Sequence, residues 1–328
     1  MANRKKSDIM EKSCVHCGAC TRNCDFLKKY QLDFGNVEEL NKLAYHCFLC
    51  GKCKDVCPAG IDGREVILEL RRKQVAENDG KIVEGGYDML IKEKSDYIFR
   101  NYRNATSGRV LFTGCNFPSF FPKTTKYIAG LLKKEAGIGT IYDCCGKPIG
   151  ELGLEKEEVR LIERLNSRLK KESIEEVIML CPNCYYFLKD KLDVKVTGIF
   201  EILKEFEWGR KLEGEVNLYI PCPDKKDGEW LKDMSYFLPE NVNVIKDIQC
   251  CGLGGCARAK EMDVSQGFSE QLLERDYDSL HTYCASCSGK FTRDGIKNVH
   301  HVLVDILETN EEPDTAKSML NRTMSKLW

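Results

Sequence analysis

The spacing of the cysteines constrains this chain more than any other feature of its sequence. Eighteen of the 19 cysteines fall into two patterns, and each pattern occurs twice. The first pattern is a compact run, Cys-x2-Cys-x2-Cys-x3-Cys, and its two copies are Cys14, Cys17, Cys20, Cys24 and Cys47, Cys50, Cys53, Cys57. Cysteines this close together are awkward disulfide partners but natural ligands of one metal centre. We therefore expect a reducing environment and a fold organised around metal sites.

The second pattern is longer and contains five cysteines, two of which are adjacent and followed by glycine. Its copies are Cys115, Cys144, Cys145, Cys181, Cys184 and Cys222, Cys250, Cys251, Cys284, Cys287. The copies lie 107 residues apart at their first cysteine and 103 apart at their last. This small drift indicates a duplicated unit with short deletions. Gly146 and Gly252, which follow the adjacent pairs, are predicted to allow a close backbone approach. Only Cys256 is left over.

The compact runs are typical of proteins that bind two cubane [4Fe–4S] clusters. In two-cluster ferredoxins the last cysteine of each run ligates the other cluster. This rule assigns one cluster to Cys14, Cys17, Cys20 and Cys57, and the other to Cys47, Cys50, Cys53 and Cys24. Pro58 follows the second run, as it often does in such proteins, whereas Asp25 follows the first. The alternative is zinc, which would take four thiolates at each site.

The rest of the chain alternates short β-rich runs with amphipathic helices, which predicts an α/β fold with parallel sheets flanked by helices. In the first copy of the long pattern, strands are predicted at 109–113, 139–142 and 176–180, and helices at 123–134 and 155–171. In the second copy, strands are predicted at 216–220, 242–245 and 279–283. Five cysteines directly follow predicted strands, namely Cys115, Cys144, Cys181, Cys222 and Cys284. We expect them to gather at the carboxyl edges of the sheets.

The predicted domains follow these patterns. Residues 1–95 form an α-helical ferredoxin-like domain, because Val37, Leu40 and Leu43 recur at helical spacing and another helix follows Pro58. Residues 96–108 are a polar linker, 109–207 and 215–308 are the two duplicated domains, and 309–328 are a C-terminal tail. The tail is predicted to be a frayed end, with a docking segment around Leu320 and Trp328 as the alternative.

The five-cysteine pattern resembles the CCG-domain family, whose best-known members are the catalytic subunits of heterodisulfide reductases. The resemblance covers residues 109 to 307, and the first block resembles the helical ferredoxin subunit that accompanies them. The whole chain therefore resembles a fusion of the two subunits. The resemblance implies a noncubane [4Fe–4S] cluster in each half, held by the five cysteines of that half. Zinc in the second half is the alternative, because that half is shorter and contains Cys256.

The same resemblance implies an iron–sulfur oxidoreductase subunit. Electrons would pass from the two cubane clusters to the two noncubane clusters, where a disulfide or a similar small-molecule acceptor is reduced. A flavoprotein or another iron–sulfur subunit is the expected electron donor, because the sequence has no flavin- or nicotinamide-binding motif. The alternative is a non-catalytic electron-transfer subunit of a flavin-dependent dehydrogenase complex, which relays electrons to or from a quinone or other carrier.

Composition excludes several other classes of protein. With 50 basic and 51 acidic residues and no basic tract, nucleic acid is not an expected partner. No run of about 18 apolar residues is present, so no membrane span is expected. The first 12 residues are charged and lack the apolar core of a secretory signal, which predicts a cytoplasmic location. Dense clusters are damaged by air, so we expect an anaerobic setting.

Weaker candidates surround the cysteines, and no catalytic residue is assigned among them. Possible anchors for an anionic substrate, with solvated surface charge as the alternative, are Lys147, Lys225, Lys226, Arg258 and Arg293. His281 is a candidate proton donor with a structural role as the alternative. His16 and His46 are expected to pack beside the cluster loops or tune a potential. Gly252-x-Gly254-Gly255 lacks the spacing of a nucleotide-binding loop, and His300-His301 is predicted to end a strand.

Overall fold

The computed structural model describes residues 13–328, so the predicted lack of a signal in residues 1–12 lies outside the described residues. The N-terminal part is helical, as predicted, with helices Ala19–Arg22, Asp25–Tyr30, Val37–Lys42, Lys52–Val56, Gly63–Glu77 and Asp88–Ser95. The longest of them, Gly63–Glu77, begins where the Asp62 side chain accepts a hydrogen bond from the Arg64 amide. It buries Val66, Ile67 and Leu70 against the shorter helices.

The first sheet has five strands. They are β1 (Asn101–Asn104), β2 (Gly108–Phe112), β3 (Gly139–Tyr142), β4 (Ile174–Met179) and β5 (Lys195–Gly198). Their order is β1-β3-β2-β4-β5, with β1 antiparallel to β3 and the other pairs parallel. The helices that accompany this sheet are Phe117–Phe120, Pro122–Ala136, Lys147–Glu151, Glu155–Lys171, Pro182–Leu188 and Ile199–Glu205. The predicted elements of this half are therefore present within two residues at each end.

The second sheet repeats this topology with four strands. They are β6 (Val216–Tyr219), β7 (Val242–Ile245), β8 (Leu280–Thr282) and β9 (Val299–His301). The order β7-β6-β8-β9 is parallel throughout and matches β3-β2-β4-β5 of the first sheet. The accompanying helices are Glu229–Met234, Met262–Leu273, Ala285–Arg293 and Val302–Ile306. The predicted α/β class with parallel sheets is thus confirmed. In both sheets, the carboxyl ends of the corresponding strands lie at the corresponding edge.

Two segments differ from their predicted character. The stretch predicted as a linker carries β1, which adds an edge strand to the first sheet. The expectation of a frayed tail is wrong, because a helix forms at Ser318–Met324. The Asn101 side chain donates hydrogen bonds to the carbonyls of Ser325 and Trp328, at 3.3 and 2.7 Å. These contacts hold the tail against the first sheet. In the described part of the chain, no helix combines the length and apolar character needed to cross a membrane.

The buried cores cross the boundaries between the three blocks. Ile149 and Leu152, which follow β3, pack with the N-terminal helices. Phe48, from the second compact cysteine run, packs in the core of the second sheet and meets Phe268 edge to face at 5.4 Å. Since apolar side chains from one block fill the core of another, separating the blocks would expose these side chains to water.

One fully buried arginine joins all three blocks. The Arg71 guanidinium, on helix Gly63–Glu77, donates to backbone carbonyls only, at distances between 2.6 and 2.9 Å. The carbonyls belong to Ala44 and Cys47 in the N-terminal block, Glu151 in the first half and Gly255 in the second half. The Arg71 side chain also lies over the Tyr45 ring at 4.9 Å. A buried charge is tolerated only when its donors are paired, and here the pairings tie the blocks to one another.

We expect Arg71→Met to destabilise the fold strongly, because four buried carbonyls would lose their donor. The loss should be about 3–5 kcal/mol, which lowers the melting temperature by roughly 6 °C or more for a chain of this size. Far-UV circular dichroism during heating measures this shift. The matched control is Arg72→Met, since the Arg72 side chain is 35% exposed and its nearest carboxylates are 4.0 Å away. Equal shifts in the two variants would contradict the assigned role of Arg71.

Candidate functional site

The carboxyl ends of the central strands open onto one cavity of about 640 Å³ between the two halves. Nine cysteines of the long pattern line it: Cys115, Cys144, Cys145, Cys181, Cys184, Cys222, Cys251, Cys284 and Cys287. The tenth, Cys250, lies behind Cys222, with the two sulfurs 3.7 Å apart. The expected convergence at the sheet edges is therefore present, and both groups of five cysteines share a single cavity.

Corresponding cysteines make corresponding contacts in the two halves. The Cys115 and Cys144 sulfurs are 4.0 Å apart, as the Cys222 and Cys250 sulfurs are in the second half at 3.7 Å. Each later pair sits at the start of a helix, with Cys181 and Cys284 as the N-cap residues of Pro182–Leu188 and Ala285–Arg293. The two N-cap thiols are not equivalent, because the pKa of Cys181 is raised and that of Cys284 is lowered well below its usual value.

The two groups of five also touch each other. The Cys181 thiol of the first half lies close enough to the Cys284 thiol of the second for each to shift the pKa of the other. Asn183 donates its side-chain amide to the Cys284 sulfur at 3.4 Å, and Asn116 donates to the Ser286 hydroxyl at 2.6 Å. Polar side chains therefore bridge the two halves inside the cavity, where the two cysteine groups are in direct contact.

Three cysteines of the two groups have lowered pKa values: Cys145, Cys251 and Cys284. Hydrogen bonds from Cys144 and Cys184 lower the pKa of Cys145 to about 5, and hydrogen bonds from Cys250 and Cys287 lower the pKa of Cys251 to about 5. Hydrogen bonding to Cys144 and burial hold the pKa of Cys115 well above its usual value. Because thiolates are the ligand form, the first half supplies one ready ligand, Cys145, and the second supplies two, Cys251 and Cys284. The cysteines with raised pKa values would deprotonate when a metal centre compensates their charge.

Two smaller cavities lie in the N-terminal block, and each is lined by four cysteines. Cys14, Cys17, Cys20 and Cys57 line one, and Cys24, Cys47, Cys50 and Cys53 line the other. Each set takes three cysteines from one run and the last cysteine of the other run, the grouping expected from the sequence. Four sulfur donors in a pocket lined largely by apolar residues suit a cubane cluster. Burial raises the pKa of Cys47 to about 11, so bound metal would be needed to keep this thiolate.

The backbone winds the same way through both compact runs. His16 and Leu49, which occupy equivalent positions, have positive φ angles of 50° and 51°. Gly18 and Gly51, two residues later, have φ angles of 67° and 83°. A non-glycine residue in the left-handed region costs of the order of 1 kcal/mol or more, so the surrounding structure must hold both loops. Amide donors point inward, since Leu49 donates to the Cys47 sulfur at 3.4 Å and Ile61 to the Cys57 sulfur at 3.3 Å.

Gln249 connects the second small cavity with the large one. Its side-chain amide donates to the sulfurs of Cys24 and Cys50, at 3.4 and 3.5 Å, and the next residue is Cys250. The Gln249 side-chain oxygen accepts a hydrogen bond from the Asp25 amide at 2.9 Å. Burial raises the pKa of Cys50, and the nearby Cys222 raises it further. The second four-cysteine group is therefore a direct neighbour of the second five-cysteine group.

Two cationic side chains from outside the duplicated pattern lie beside the first five-cysteine group. Lys94 is only 4% exposed and lines the large cavity. Burial opposes its charge, but the Cys115 and Cys144 thiolates outweigh burial and raise the pKa of Lys94. Arg322, from the tail helix, donates to Glu93 at 2.7 Å and to Asn116 at 2.8 Å. These cations, together with Asn116, Asn183 and Gln249, were not found from the sequence, because no motif or spacing marks them.

The charged residues named from the sequence as candidate substrate anchors have different surroundings in the structure. Arg258 and Lys147 line the large cavity, and Lys147 pairs there with Glu151 at 2.6 Å. Lys225 donates to the backbone carbonyls of Ile248 and Gln249. Lys147, Lys225 and Lys226 also line an outer cavity of about 710 Å³. Arg293 lies over the Phe120 ring and donates to Ser318, so a role as a substrate anchor is wrong for Arg293.

The histidines named from the sequence lie away from the large cavity. His16 pairs with Asp33 at 3.1 Å, and His46 with the buried Glu261 at 2.6 Å. Glu261 also accepts from Lys29 and Tyr30, so it joins the N-terminal block to the second half. His281 faces Asp305 and is not among the described residues that line the cavity, which favours the structural role over the proton donor.

The glycines near the adjacent cysteines allow the close approach predicted for them. A Cβ atom on Gly146 would lie 2.6 Å from Leu161, and one on Gly252 would lie 2.4 Å from the Ser265 hydroxyl. Gly254 and Gly255 pack on the second compact run, where a Cβ atom would lie 2.3 Å from a carbonyl of Phe48 or Cys47. This packing explains why glycines occupy these positions. It is consistent with the prediction that they do not form a nucleotide-binding loop.

Comparison with known families identifies the blocks of the chain. Residues 13–62 match the 4Fe-4S dicluster domain family, and residues 110–189 and 227–292 match the cysteine-rich domain family, also called CCG. A crystal structure of a hypothetical protein from Helicobacter pylori superimposes with a TM-score of 0.51, at 10% identity, and covers 90% of this chain and 68% of its own. That similarity concerns the fold alone.

Three relatives extend over most of the chain. An uncharacterized iron–sulfur protein of Methanococcus maripaludis is 24% identical and covers 76% of this chain. One of the subunits of the dihydromethanophenazine:CoB–CoM heterodisulfide reductase of Methanosarcina mazei is 23% identical and covers 83%. One of the subunits of the fumarate reductase (CoM/CoB) of Methanothermobacter marburgensis is 23% identical and covers 84%. The chain spans 57%, 78% and 66% of the lengths of these relatives, respectively.

We expect Gly252→Ala to damage the second five-cysteine group. Gly252 has a φ of 85°, and the new methyl group would collide with Ser265. The combined strain and overlap should cost about 1–3 kcal/mol or more and reduce the metal bound by this half. Thermal unfolding and metal analysis of the purified variant measure both effects. Gly267→Ala is the matched control: Gly267 lies in helix Met262–Leu273 with open space around it, so that variant should be stabilised by about 0.5–1 kcal/mol.

Proposed function

The chain belongs to the CCG-domain iron–sulfur proteins, and we propose that it is the component of a reductase complex that reduces a disulfide or a similar small-molecule acceptor. Electrons would enter at two cubane clusters in the N-terminal block and reach two noncubane clusters in the large cavity. The observation that carries this proposal is the meeting of two complete five-cysteine groups in one cavity. The similarity to a component of a heterodisulfide reductase adds support.

The proposed ligands are the cysteine groups already described. Cys14, Cys17, Cys20 and Cys57 would hold one cubane, and Cys24, Cys47, Cys50 and Cys53 the other. Cys115, Cys144, Cys145, Cys181 and Cys184 would hold the first noncubane cluster. Cys222, Cys250, Cys251, Cys284 and Cys287 would hold the second. Bound clusters supply electrons singly, and reduction of a disulfide takes two electrons and two protons and gives two thiols.

The geometry supports a role in which both sulfurs of a substrate are handled together. Cys181 and Cys284 touch across the boundary between the halves, so an acceptor in the cavity would meet both cysteine groups at once. Asn116 and Asn183 offer polar groups in the same space. Lys94 and Arg322 offset the negative charge of the thiolates and keep the cavity attractive to an anionic acceptor.

The surroundings of the two five-cysteine groups support a direction for the flow of electrons. The second cysteine group lies beside the cubane site through Gln249 and Cys50, whereas the first has Lys94 and Arg322 instead. A cluster near about −400 mV would reduce a disulfide near about −200 mV with a release of about 9 kcal/mol over two electrons. Flow from cubane to acceptor is then downhill. The primary electrons would come from a flavoprotein or another iron–sulfur protein of the complex.

We expect the protein purified without oxygen to bind about 16 Fe per chain, four at each of four sites. Cys251→Ser should lose about four of them, because the second five-cysteine group would lose a ligand with a lowered pKa. Cys256→Ser is the control and should keep the full iron content, since Cys256 belongs to neither pattern. The decisive measurement is electron paramagnetic resonance of the oxidised protein with and without added thiol. A thiol-dependent signal, lost in Cys251→Ser, is expected.

A relay of electrons to or from a quinone or other carrier is the second candidate. It is favoured by the similarity to a component of a fumarate reductase, whose name gives a different acceptor. In that case the oxidised protein would show no thiol-dependent signal. An iron content of about 12, with zinc bound by sulfur in one half, would also favour the relay and contradict disulfide reduction.

We expect Gln249→Leu to lower the potential of the cubane held by Cys24 and Cys50. Its two hydrogen bonds to sulfur stabilise the more negative, reduced cluster, and about 1 kcal/mol of such stabilisation corresponds to about 40 mV for one electron. A redox titration followed by electron paramagnetic resonance measures the shift. Gln271→Leu is the matched control, because Gln271 contacts the Asp25 carboxylate rather than sulfur. An unchanged potential in Gln249→Leu would refute this role.

A further inference from the structure

Two histidines and an aspartate form a group on the second sheet that is separate from the cysteine sites. His281 on β8 and His300 on β9 are register partners, and their rings stack at 5.0 Å. Asp305, on the following helix Val302–Ile306, brings its carboxylate to both rings. One side-chain ligand atom from each of the three residues lies within 4.8 Å of the other two.

Asp305 hydrogen-bonds to one of the two rings and lies near the other without a hydrogen bond. Asp305 Oδ1 lies 3.3 Å from His300 Nδ1, and Asp305 Oδ2 lies 3.8 Å from His281 Nε2. The second distance is too long for a hydrogen bond. Two ligands that each lie about 2.0–2.1 Å from a tetrahedral zinc ion are about 3.3–3.5 Å apart. Both measured distances are near this value.

Burial strengthens the case for an ion. The His281 side chain is only 10% exposed, and Asp305 Oδ2 is buried without a hydrogen-bond partner among residues 13–328. A buried polar atom left unpaired costs about 1–3 kcal/mol, which a bound cation at this position would offset.

We propose that His281, His300 and Asp305 bind one zinc ion. Two imidazoles and a carboxylate are ligands that zinc accepts, whereas calcium and magnesium prefer oxygen alone. The His300 side chain is 44% exposed, which leaves a path for the ion and a position for water as the fourth ligand. The ion would tie edge strand β9 to β8, the strand that leads to Cys284. This site is independent of the proposed function.

The test uses the full-length protein with its clusters, purified without oxygen, incubated with one equivalent of zinc and then desalted. We expect about one zinc per chain with unchanged iron. X-ray absorption at the zinc edge should show nitrogen and oxygen ligands at about 2.0 Å. Zinc in a cysteine site would instead show sulfur at about 2.3 Å, and that result would overturn the proposal. No retained zinc would overturn it as well.

His300→Ala is the decisive variant, because a half-exposed side chain can be removed with little damage to the fold. We expect its zinc affinity to fall by more than about 100-fold, beyond the effect usual for a residue that only supports a ligand. Asp278→Asn, an exposed change on the loop before β8, should keep the zinc. Zinc retained by His300→Ala would refute the site. Low iron with normal zinc would count against the proposed function only.

Discussion

The buried guanidinium of Arg71 is the constraint on which the relative placement of all the sites depends. It holds a carbonyl of the second compact cysteine run, a carbonyl after β3 and a carbonyl of the glycine loop after β7. A charge without solvent must have every donor paired, so the three blocks cannot shift independently. Glu261 and Phe48 repeat the same principle with a buried carboxylate and a buried ring. The distance between the four-cysteine and five-cysteine groups is thus a property of the fold.

Duplication provides two chemically equivalent cysteine groups, and the rest of the chain makes them different. Both groups begin after the central strand of a sheet, and in both the second cysteine of the adjacent pair has a pKa lowered by its neighbours. The first group alone receives Lys94 and Arg322. The second alone adjoins a four-cysteine group through Gln249. The corresponding strand orders of the two sheets account for the likeness, and segments outside the repeat give each half its own electrostatic surroundings.

Much of this arrangement was predictable, because cysteine spacing and hydrophobic period are local signals. The central strands and the long helix Glu155–Lys171 follow directly from their patterns, and strand ends then bring Cys115, Cys144 and Cys181 together. Arg71 was missed because its acceptor at Gly255 is 184 residues away, a separation that no local pattern encodes. The tail and β1 were missed because each is polar and short and is stabilised by the other through Asn101. The sequence left two roles open for His281, because nearness in sequence to Cys284 does not determine which side of the sheet its ring faces.

The contact between the Cys181 and Cys284 thiols affects how small molecules can enter the large cavity. Asp224 accepts hydrogen bonds from Tyr186 of the first half and Tyr283 of the second, so a second contact holds the two halves together at this boundary. A hinge opening of the two halves would break both contacts and separate the two thiols. While these contacts hold, small molecules would enter the cavity through its existing opening, and the residues around that opening would limit which molecules fit.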